Sequence, residues 1–151
     1  MQKILHELKY RKETGVGVRL GELLGEELAK EKPFDLVDLI IPVPLHHSKQ
    51  RKRGFNQAEL IAFGASTELK KPLRTDILVR KVATATQTKR SRYDRWGNMD
   101  QVFEVQKPNS TGKNHVLLVD DVLTTGATIG SCAQVLIDAG YSVSVATVAT
   151  A

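Results

Sequence analysis

Residues 115–128 read HVLLVDDVLTTGAT, and this stretch holds the most informative pattern in the chain. The apolar run at 116–119 does not alternate with polar residues, which is typical of a strand buried on both faces of a parallel sheet. Two carboxylates, Asp120 and Asp121, follow it. Apolar residues then recur at the spacing of one helix face, at Ile129, Cys132, Ala133, Leu136 and Ile137. The pattern predicts a strand, an acidic pair, a loop and a helix that ends near Gly140.

The loop between this strand and this helix is suited to a sugar phosphate. A helix N-terminus presents backbone N–H groups and the positive end of the helix dipole. Glycine lets the backbone approach a phosphate closely, and threonine hydroxyls can donate further hydrogen bonds. The predicted phosphate-binding residues are Thr124, Thr125, Gly126, Ala127 and Thr128. Asp120 and Asp121 lie where open parallel sheets bind ligands, and they can accept hydrogen bonds from a ribose diol.

These residues resemble the phosphoribosyl diphosphate (PRPP) motif of type I phosphoribosyltransferases, which has four apolar residues, two acids and then T-T-G-x-T. The match is complete over the thirteen positions 116–128. The resemblance implies an α/β fold with a mostly parallel central sheet flanked by helices, and a flexible hood segment. The alternative is a Rossmann-like strand, turn and helix with solvated acids. It does not explain why both acids and the T-T-G-x-T turn occur together.

A second stretch, residues 40–62, reads IIPVPLHHSKQRKRGFNQAELIA and resembles the ComF family, which is linked to bacterial competence. In that family, P-V-P-L and R-G-F-N-Q elements flank a presumed pyrophosphate loop. They stand here at 42–45 and 53–57. The similarity extends over roughly residues 15–150, including Arg80, Lys81, Thr86–Thr88, Arg92, Asn98 and Phe103. Complete ComF-type proteins commonly carry a cysteine-rich zinc-binding segment ahead of this domain, which this sequence lacks, so zinc is not expected here.

Length and composition favour one globular domain over residues 1–151. Residues 81–100 have few apolar positions and no clean period, which indicates a functional lid or a disordered segment, and the resemblance implies a hood loop. No apolar run approaches the roughly 20 residues that span a bilayer, so we expect a cytoplasmic protein without membrane insertion. The single cysteine, Cys132, lies on the apolar face of the predicted helix and is expected to be a buried core residue.

The net charge of +5 is concentrated in two segments that contain no acid. The first, residues 46–54, lies in a predicted loop over 45–55 and contains Lys49, Arg51, Lys52 and Arg53. The second, residues 77–93, contains Arg80, Lys81, Lys89, Arg90 and Arg92. Such clustering indicates an anionic ligand or a nucleic acid. The resemblance implies that the first cluster holds the pyrophosphate of PRPP together with Mg²⁺. The metal would be bound through pyrophosphate and water near Asp120 and Asp121, and Arg90 and Arg92 would belong to the hood.

Elsewhere the periodicity predicts a helix over 18–30 and a strand over 36–43. The helix has a leucine stripe, and Gly21 and Gly25 share another face that allows close packing. A further helix begins after the N-cap Asn56, and its buried stripe is Ala58, Ile61, Ala62, Ala65 and Leu69. Strands are predicted over 76–80, 101–105 and 142–148.

Three functions are compatible with these patterns. The first is a Mg²⁺-dependent phosphoribosyltransferase that uses Asp120 and Asp121 in catalysis and acts on an acceptor that the sequence does not name. The second is a non-catalytic module that binds PRPP and serves DNA uptake through partners. The third is single-stranded DNA binding through the basic segments, although the chain has no RNA- or DNA-binding signature. A homodimer is compatible with all three, because dimers are common among proteins of this fold.

Overall fold

The computed structural model describes residues 14–81, 102–108 and 114–151. Its α-helices are α1 (Thr14–Leu28), α2 (His47–Arg53), α3 (Gln57–Leu69) and α4 (Ala127–Asp138). Its strands are β1 (Leu39–Pro42), β2 (Leu78–Arg80), β3 (Phe103–Val105), β4 (His115–Leu123) and β5 (Ser142–Thr150). A 3₁₀ helix at Lys32–Leu36 connects α1 to β1 and takes up the first residue of the strand predicted over 36–43.

The central sheet is parallel and has the strand order β1-β4-β5. Ile41 pairs with Leu118 on one side of the sheet centre, and Leu118 pairs with Val145 on the other. All four residues of the predicted apolar run, 116–119, are completely buried. The prediction of a strand covered on both faces is therefore confirmed, and so is the α/β class.

The middle strand is longer than the sequence predicts. β4 continues through Asp120 and Asp121 to Leu123, so both carboxylates lie within the strand and not after it. Pairing with β1 stops at Val119, whereas pairing with β5 continues to the end of β4. The acids are thus placed where the sheet narrows from three strands to two, at its carboxyl edge.

Alternate residues of the sheet face two separate cores, which gives three layers. On one face, Ile41, Val116 and Leu118 pack with α4, whose buried residues are Ile129, Cys132, Val135 and Leu136. On the other face, Ile40, Leu117 and Val119 pack with α3 through Ile61, Ala62 and Ala65. The predicted stripe of α4 is wrong at its end, because Ile137 is 51% exposed and Val135 is buried in its place.

Helices α1 and α3 pack backbone against backbone. A Cβ added to Gly21 would lie 2.0 Å from the carbonyl oxygen of Ile61, and one added to Gly64 would lie 2.1 Å from that of Val18. Gly25 is similarly enclosed by Ala65 and the neighbouring turn of α3. The close approach at Gly21 and Gly25 is confirmed. The leucine stripe is less important than predicted, since Leu23 is 43% exposed.

Strands β2 and β3 form a separate antiparallel pair, not part of the central sheet. Just before β2 in the chain, Asp76 accepts hydrogen bonds from the Arg74 guanidinium at 2.7 and 2.9 Å, and it also accepts one from the Lys107 ammonium. These two cations, Arg74 first, lower the pKa of Asp76 well below its usual range. The cluster joins the segment before β2 to the segment after β3. Residues 82–101, which connect the two strands and contain most of the predicted hood, lie outside the described residues.

The described parts of the chain, 14–81, 102–108 and 114–151, contain no helix with the length and apolar content needed to cross a membrane.

Candidate functional site

The turn between β4 and α4 has the geometry of an anion cradle. Gly126 is the N-cap of α4 and has φ 79°, in the left-handed region that favours glycine. A Cβ at Gly126 would meet only the Cδ1 atom of Leu123, at 3.8 Å, so the space above the turn is open. Thr124, Thr125, Ala127 and Thr128 are all exposed around it. The backbone N–H groups that begin α4 can therefore be reached by a phosphate.

The threonine beside the glycine helps to hold the turn. The Thr125 hydroxyl oxygen accepts a hydrogen bond from the Ala127 N–H at 3.4 Å, a long bond that a phosphate oxygen could replace. Gly130 N–H donates to the Gly126 carbonyl oxygen at 2.8 Å and closes the first turn of α4. The structure thus brings together all five residues of the predicted phosphate site. Their role in binding remains a prediction.

Asp120 and Asp121 have their side chains oriented by the backbone. Asp120 Oδ1 accepts from the Asp121 N–H and Asp121 Oδ1 accepts from the Val122 N–H, each at 2.9 Å. Both residues are half-buried. An ionised carboxylate has two oxygens that together can accept about four hydrogen bonds. The pair is therefore suited to binding hydroxyl groups, as the sequence predicts.

Asp120 and Asp121 can supply only some of the ligands that a Mg²⁺ ion needs. Among the described residues no group of three histidine, cysteine or acidic side chains is arranged to hold a metal ion. Mg²⁺ usually keeps several waters and binds through one or two carboxylates together with substrate phosphates. Asp120 and Asp121 can supply that limited share, so these residues fit a Mg²⁺ ion that arrives with a phosphorylated ligand.

The basic segment 46–54 is a helix and not the predicted loop. His46 is the N-cap of α2, and its Nδ1 accepts from the Ser48 N–H at 3.2 Å. Lys, Gln and Arg are good helix formers, and the cations in the last turn interact favourably with the helix dipole. Gly54, with φ 85°, ends the helix. Lys49, Arg51 and Lys52 are exposed and Arg53 is half-buried.

The four cations of α2 are not neutralised by the rest of the described chain. The described ion pairs use Arg19, Lys30, Arg74 and Lys107 as their cations. Positive charge is thus concentrated on the short helix α2, near the carboxyl end of β1, at Lys49, Arg51, Lys52 and Arg53. An anionic ligand is the simplest counter-charge. Arg90 and Arg92, the predicted cations of the hood, lie outside the described residues.

Two buried polar residues, Asn56 and Gln57, lie at the start of α3. The sequence predicts a role only for Asn56. Asn56 is the N-cap, as predicted: its Oδ1 accepts from the Ala58 N–H at 3.2 Å. Gln57 is only 2% exposed, and its Nε2 has no hydrogen-bond partner within the described residues. Buried polar groups nearly always have a partner, so this amide is an exception among the described residues. Gln57 is the last residue of the R-G-F-N-Q motif, but periodicity alone could not show that its side chain is buried.

A cavity of about 320 Å³ lies beside α2 at the carboxyl end of β1. Its walls come from the chain after β1, from α2, from the start of α3 and from β2. The polar side chains around it include Gln50, Asn56, Glu59 and Arg80. Neither Glu59 nor Arg80 is predicted from the sequence to line a pocket, although Arg80 belongs to a basic segment and to the similarity with ComF-type proteins. Its proximity to the start of α3 depends on tertiary packing, which local patterns do not show.

Cys132 is a core residue, as predicted. It is completely buried on the sheet side of α4. Burial, with a smaller contribution from the negative charge of Asp120, raises the pKa of the thiol to about 12. The side chain is thus a protonated apolar group at neutral pH.

Comparison with known proteins adds relatives of two kinds. No protein-family model matches this chain. The chain is 33% identical over 140 residues to "DNA utilization protein YhgH" of Escherichia coli O157:H7, over 91% of this chain and 61% of that protein. It is 32% identical over 137 residues to "Competence protein F" of Haemophilus influenzae, over 88% of this chain and 60% of that protein. This chain spans about three-fifths of the length of these curated relatives.

A solved structure gives the fold independently. The purine phosphoribosyltransferase from Pyrococcus horikoshii superimposes with a TM-score of 0.53 at 19% identity, over 89% of this chain and 72% of that one. At this level of identity the likeness shows the fold alone. The two kinds of relative confirm the predicted resemblance to ComF-type proteins and the phosphoribosyltransferase-like fold.

Proposed function

This chain is a homologue of competence protein F and DNA utilization protein YhgH with the fold of a type I phosphoribosyltransferase, and on that premise we propose that it binds PRPP with Mg²⁺ and transfers the phosphoribosyl group to an acceptor. One observation carries the proposal. An open left-handed turn at Gly126 begins a twelve-residue helix five residues after Asp121, the second of two oriented carboxylates. A ribose that is esterified by phosphate on its C5 oxygen needs these two kinds of group near each other.

Each part of PRPP has a matching element in the proposed complex. The 5-phosphate binds the backbone N–H groups and hydroxyls of residues 124–128, at the positive end of the α4 dipole. The ribose hydroxyls donate to Asp120 and Asp121. The pyrophosphate lies towards α2, where Lys49, Arg51, Lys52 and Arg53 supply the counter-charge.

In the proposed reaction a nucleophilic atom of the acceptor forms a bond to the anomeric carbon as the bond from that carbon to pyrophosphate breaks. The electron pair of the broken bond leaves with pyrophosphate, and the acceptor loses a proton. The transition state has oxocarbenium character, as in glycoside hydrolysis. The charges of Asp120 and Asp121 stabilise the developing positive charge, and the α2 cations stabilise the leaving group. Mg²⁺, when bound, would neutralise further charge on the pyrophosphate.

Calorimetric titration with PRPP and Mg²⁺ tests the binding step. We expect saturable binding that is weakened when Mg²⁺ is omitted. Ribose 5-phosphate alone should still bind, because it keeps the groups for the Gly126 turn and the carboxylates. Absence of binding by both PRPP and ribose 5-phosphate would overturn the proposal.

A non-catalytic role is the second candidate, and the names of the relatives support it. Both are named for competence or DNA utilization and not for a transferase activity. Exchange of labelled pyrophosphate into PRPP distinguishes the two: exchange supports the enzyme, and tight PRPP binding without exchange or turnover supports a module that serves DNA uptake. Single-stranded DNA binding through α2 is a third candidate, favoured by its unpaired cations. It predicts an affinity that falls steeply with salt.

A further inference from the structure

The two edges of the central sheet are treated differently by the described chain. The outer side of β1 is covered by the segment before β2, because the Ile40 N–H donates to the Pro72 carbonyl oxygen and the Arg74 N–H donates to the Ile40 carbonyl oxygen, each at 2.9 Å. β5 pairs only with β4, and no backbone hydrogen bond reaches its outer side from the described residues. Such an edge presents a row of main-chain donors and acceptors to any strand that approaches it.

β5 lacks the features that usually protect an exposed edge. Natural edge strands are kept short or contain lysine or proline, which prevent pairing with another chain. The nine residues of β5 read SVSVATVAT and include no charge and no proline. The strand is longer than the usual strand of about 5–6 residues, and its Val145 side chain is 42% exposed. A long, neutral and partly apolar edge of this kind is a site for strand pairing.

The side chains of β5 are complementary to those of a second β5 that runs antiparallel to it. In the register that pairs all nine residues, Ala146 lies opposite its own copy. Opposite residues of an antiparallel pair lie on the same face of the sheet, with Cβ atoms about 4.5–5.5 Å apart. In this register no valine lies opposite another valine, so large and small or isosteric side chains alternate across the contact. The pairs are Val143 with Ala149, Val145 with Thr147, and Val148 with Ser144.

The distribution of charge also favours a second copy at this edge. The chain has a net charge of +5, and the cations of α2 follow β1, on the other side of the sheet from β5. When two sheets are joined through β5, their β1 strands are five strand spacings apart, about 24 Å. This separation exceeds the Debye length of about 8 Å at physiological salt, so repulsion between the two basic helices is screened. The neutral β5 itself brings no like charges together.

We infer that two copies of this chain associate through β5 and form a continuous six-stranded sheet about a twofold axis at Ala146. The contact is isologous, because each copy supplies the same strand. Antiparallel pairing points the carboxyl ends of the two β4 strands in opposite directions, so the two candidate sites lie at opposite edges of the joined sheet. Each copy supplies its own Asp120, Asp121 and Gly126, and the dimer therefore does not depend on the proposed function.

Sedimentation equilibrium of the full chain at micromolar concentrations tests the association, and one variant tests the strand. Val145→Lys places two ammonium groups diagonally across the twofold axis and should raise the dissociation constant of the dimer at least about tenfold, since the symmetry makes each substitution count twice. Leu36→Lys is the matched control, because Leu36 is 72% exposed just before β1, at the other edge of the sheet. It adds the same charge and should leave the dimer unchanged.

Amide hydrogen exchange locates the contact within the chain. In the unchanged chain, protection of the β5 amides should increase with protein concentration, and this increase should be lost in Val145→Lys. A chain that stays monomeric would overturn the inference, and that measurement does not depend on how the variant folds. So would β5 protection in a monomer, because another segment of the same chain would then cover the edge. Equal dissociation constants in Val145→Lys and Leu36→Lys would place the contact on a different surface and refute the assignment.

The same proteins separate this inference from the proposed function. A dimer that is weakened by Val145→Lys supports the β5 contact even if calorimetry detects no PRPP binding. If PRPP binds, monomeric Val145→Lys should bind it as tightly as the unchanged chain does, and a loss of binding on dissociation would overturn the arrangement with two independent sites.

Discussion

Asn56 joins the start of α3 to the end of β1 by donating from its Nδ2 to the carbonyl oxygen of Val43, 3.0 Å away. Its Oδ1 at the same time accepts from the Ala58 N–H, so one buried amide caps the helix and fixes it to the sheet edge. This contact places the first turn of α3, with Gln57 and Glu59, against the chain that follows β1. The candidate site therefore depends on a side chain that need not touch the ligand.

The carboxylates of Asp120 and Asp121 can be removed with little effect on the fold. Asparagine keeps the Oδ1 atoms that accept from the backbone, so Asp120→Asn with Asp121→Asn should fold normally. PRPP–Mg²⁺ affinity should fall by about a hundredfold or more, because two hydrogen bonds to charged groups contribute about 3 kcal/mol together. Calorimetry measures this. Asp138→Asn, at the exposed far end of α4, is the control, and unchanged affinity in the double variant would rule out the ribose assignment.

The turn at Gly126 tests the phosphate assignment. Gly126→Val places a branched side chain at φ 79°, which costs about 1–2 kcal/mol and obstructs the open space above the turn. Gly140→Val provides the same kind of strain at φ 92°, beyond the other end of α4. We expect both variants to unfold at lower temperature, but only Gly126→Val to lose ribose 5-phosphate binding. Equal affinities in the two variants would contradict a phosphate cradle at this turn.

The backbone contact between α1 and α3 predicts a sensitive position at Gly64. In Gly64→Ala the new Cβ would meet the Val18 carbonyl oxygen and the Glu22 nitrogen, so the helices must separate. We expect a loss of at least about 2 kcal/mol in the free energy of unfolding, measured with urea. Gly130→Ala is the control. Its Cβ meets nothing within 4 Å, and alanine should stabilise the exposed helix by about 0.5–1 kcal/mol.

The ion-pair cluster below β2 predicts a dependence of stability on pH. The folded pKa of Asp76 is below its unfolded value. Its contribution is therefore present above about pH 4 and is lost as the pH falls towards the folded pKa. Asp76→Asn should lower the free energy of unfolding at pH 7 more than at pH 3. Arg74→Gln should reproduce more of this difference than Lys107→Gln, because Arg74 lowers the pKa most.

The thiol of Cys132 should be almost inert in the native state. With its pKa raised to about 12, the thiolate fraction at pH 8 is about 10⁻⁴, which slows alkylation about a thousandfold relative to a free cysteine. Labelling with iodoacetamide in native buffer and in urea checks this. Rapid native labelling would show that α4 opens readily or that the residue is accessible.

The sequence was most informative where local pattern and tertiary structure agree. The apolar run of β4 and the turn at Gly126 were predicted because each depends on neighbouring residues alone. The cap at Asn56 and the buried stripe of α3 were predicted for the same reason. The acids were placed after the strand because polar residues usually mark its end, but the strand continues through Asp121, with pairing to β5 at Asp120 and again at Val122.

Other features depend on contacts that are distant in sequence. The α2 helix has no apolar face, so hydrophobic periodicity could not show it, although its residues have good helix propensity. The strands β2 and β3 have three residues each, too few for a pattern, and pair across a long separation. Glu59 and Arg80 line one cavity only because tertiary packing brings β2 near the start of α3. Neither composition nor local pattern predicts this arrangement.

The glycine-lined contact between α1 and α3 also determines which side of the site can adapt to a ligand. Two helices that touch through their main chains have little freedom to slide or tilt, since a small displacement produces atomic overlap at several places at once. The wall formed by α3 is consequently rigid. We therefore expect any adjustment to a ligand at the other walls of the cavity, α2 and β2, where related chains can change ligand preference without altering the contact between α1 and α3.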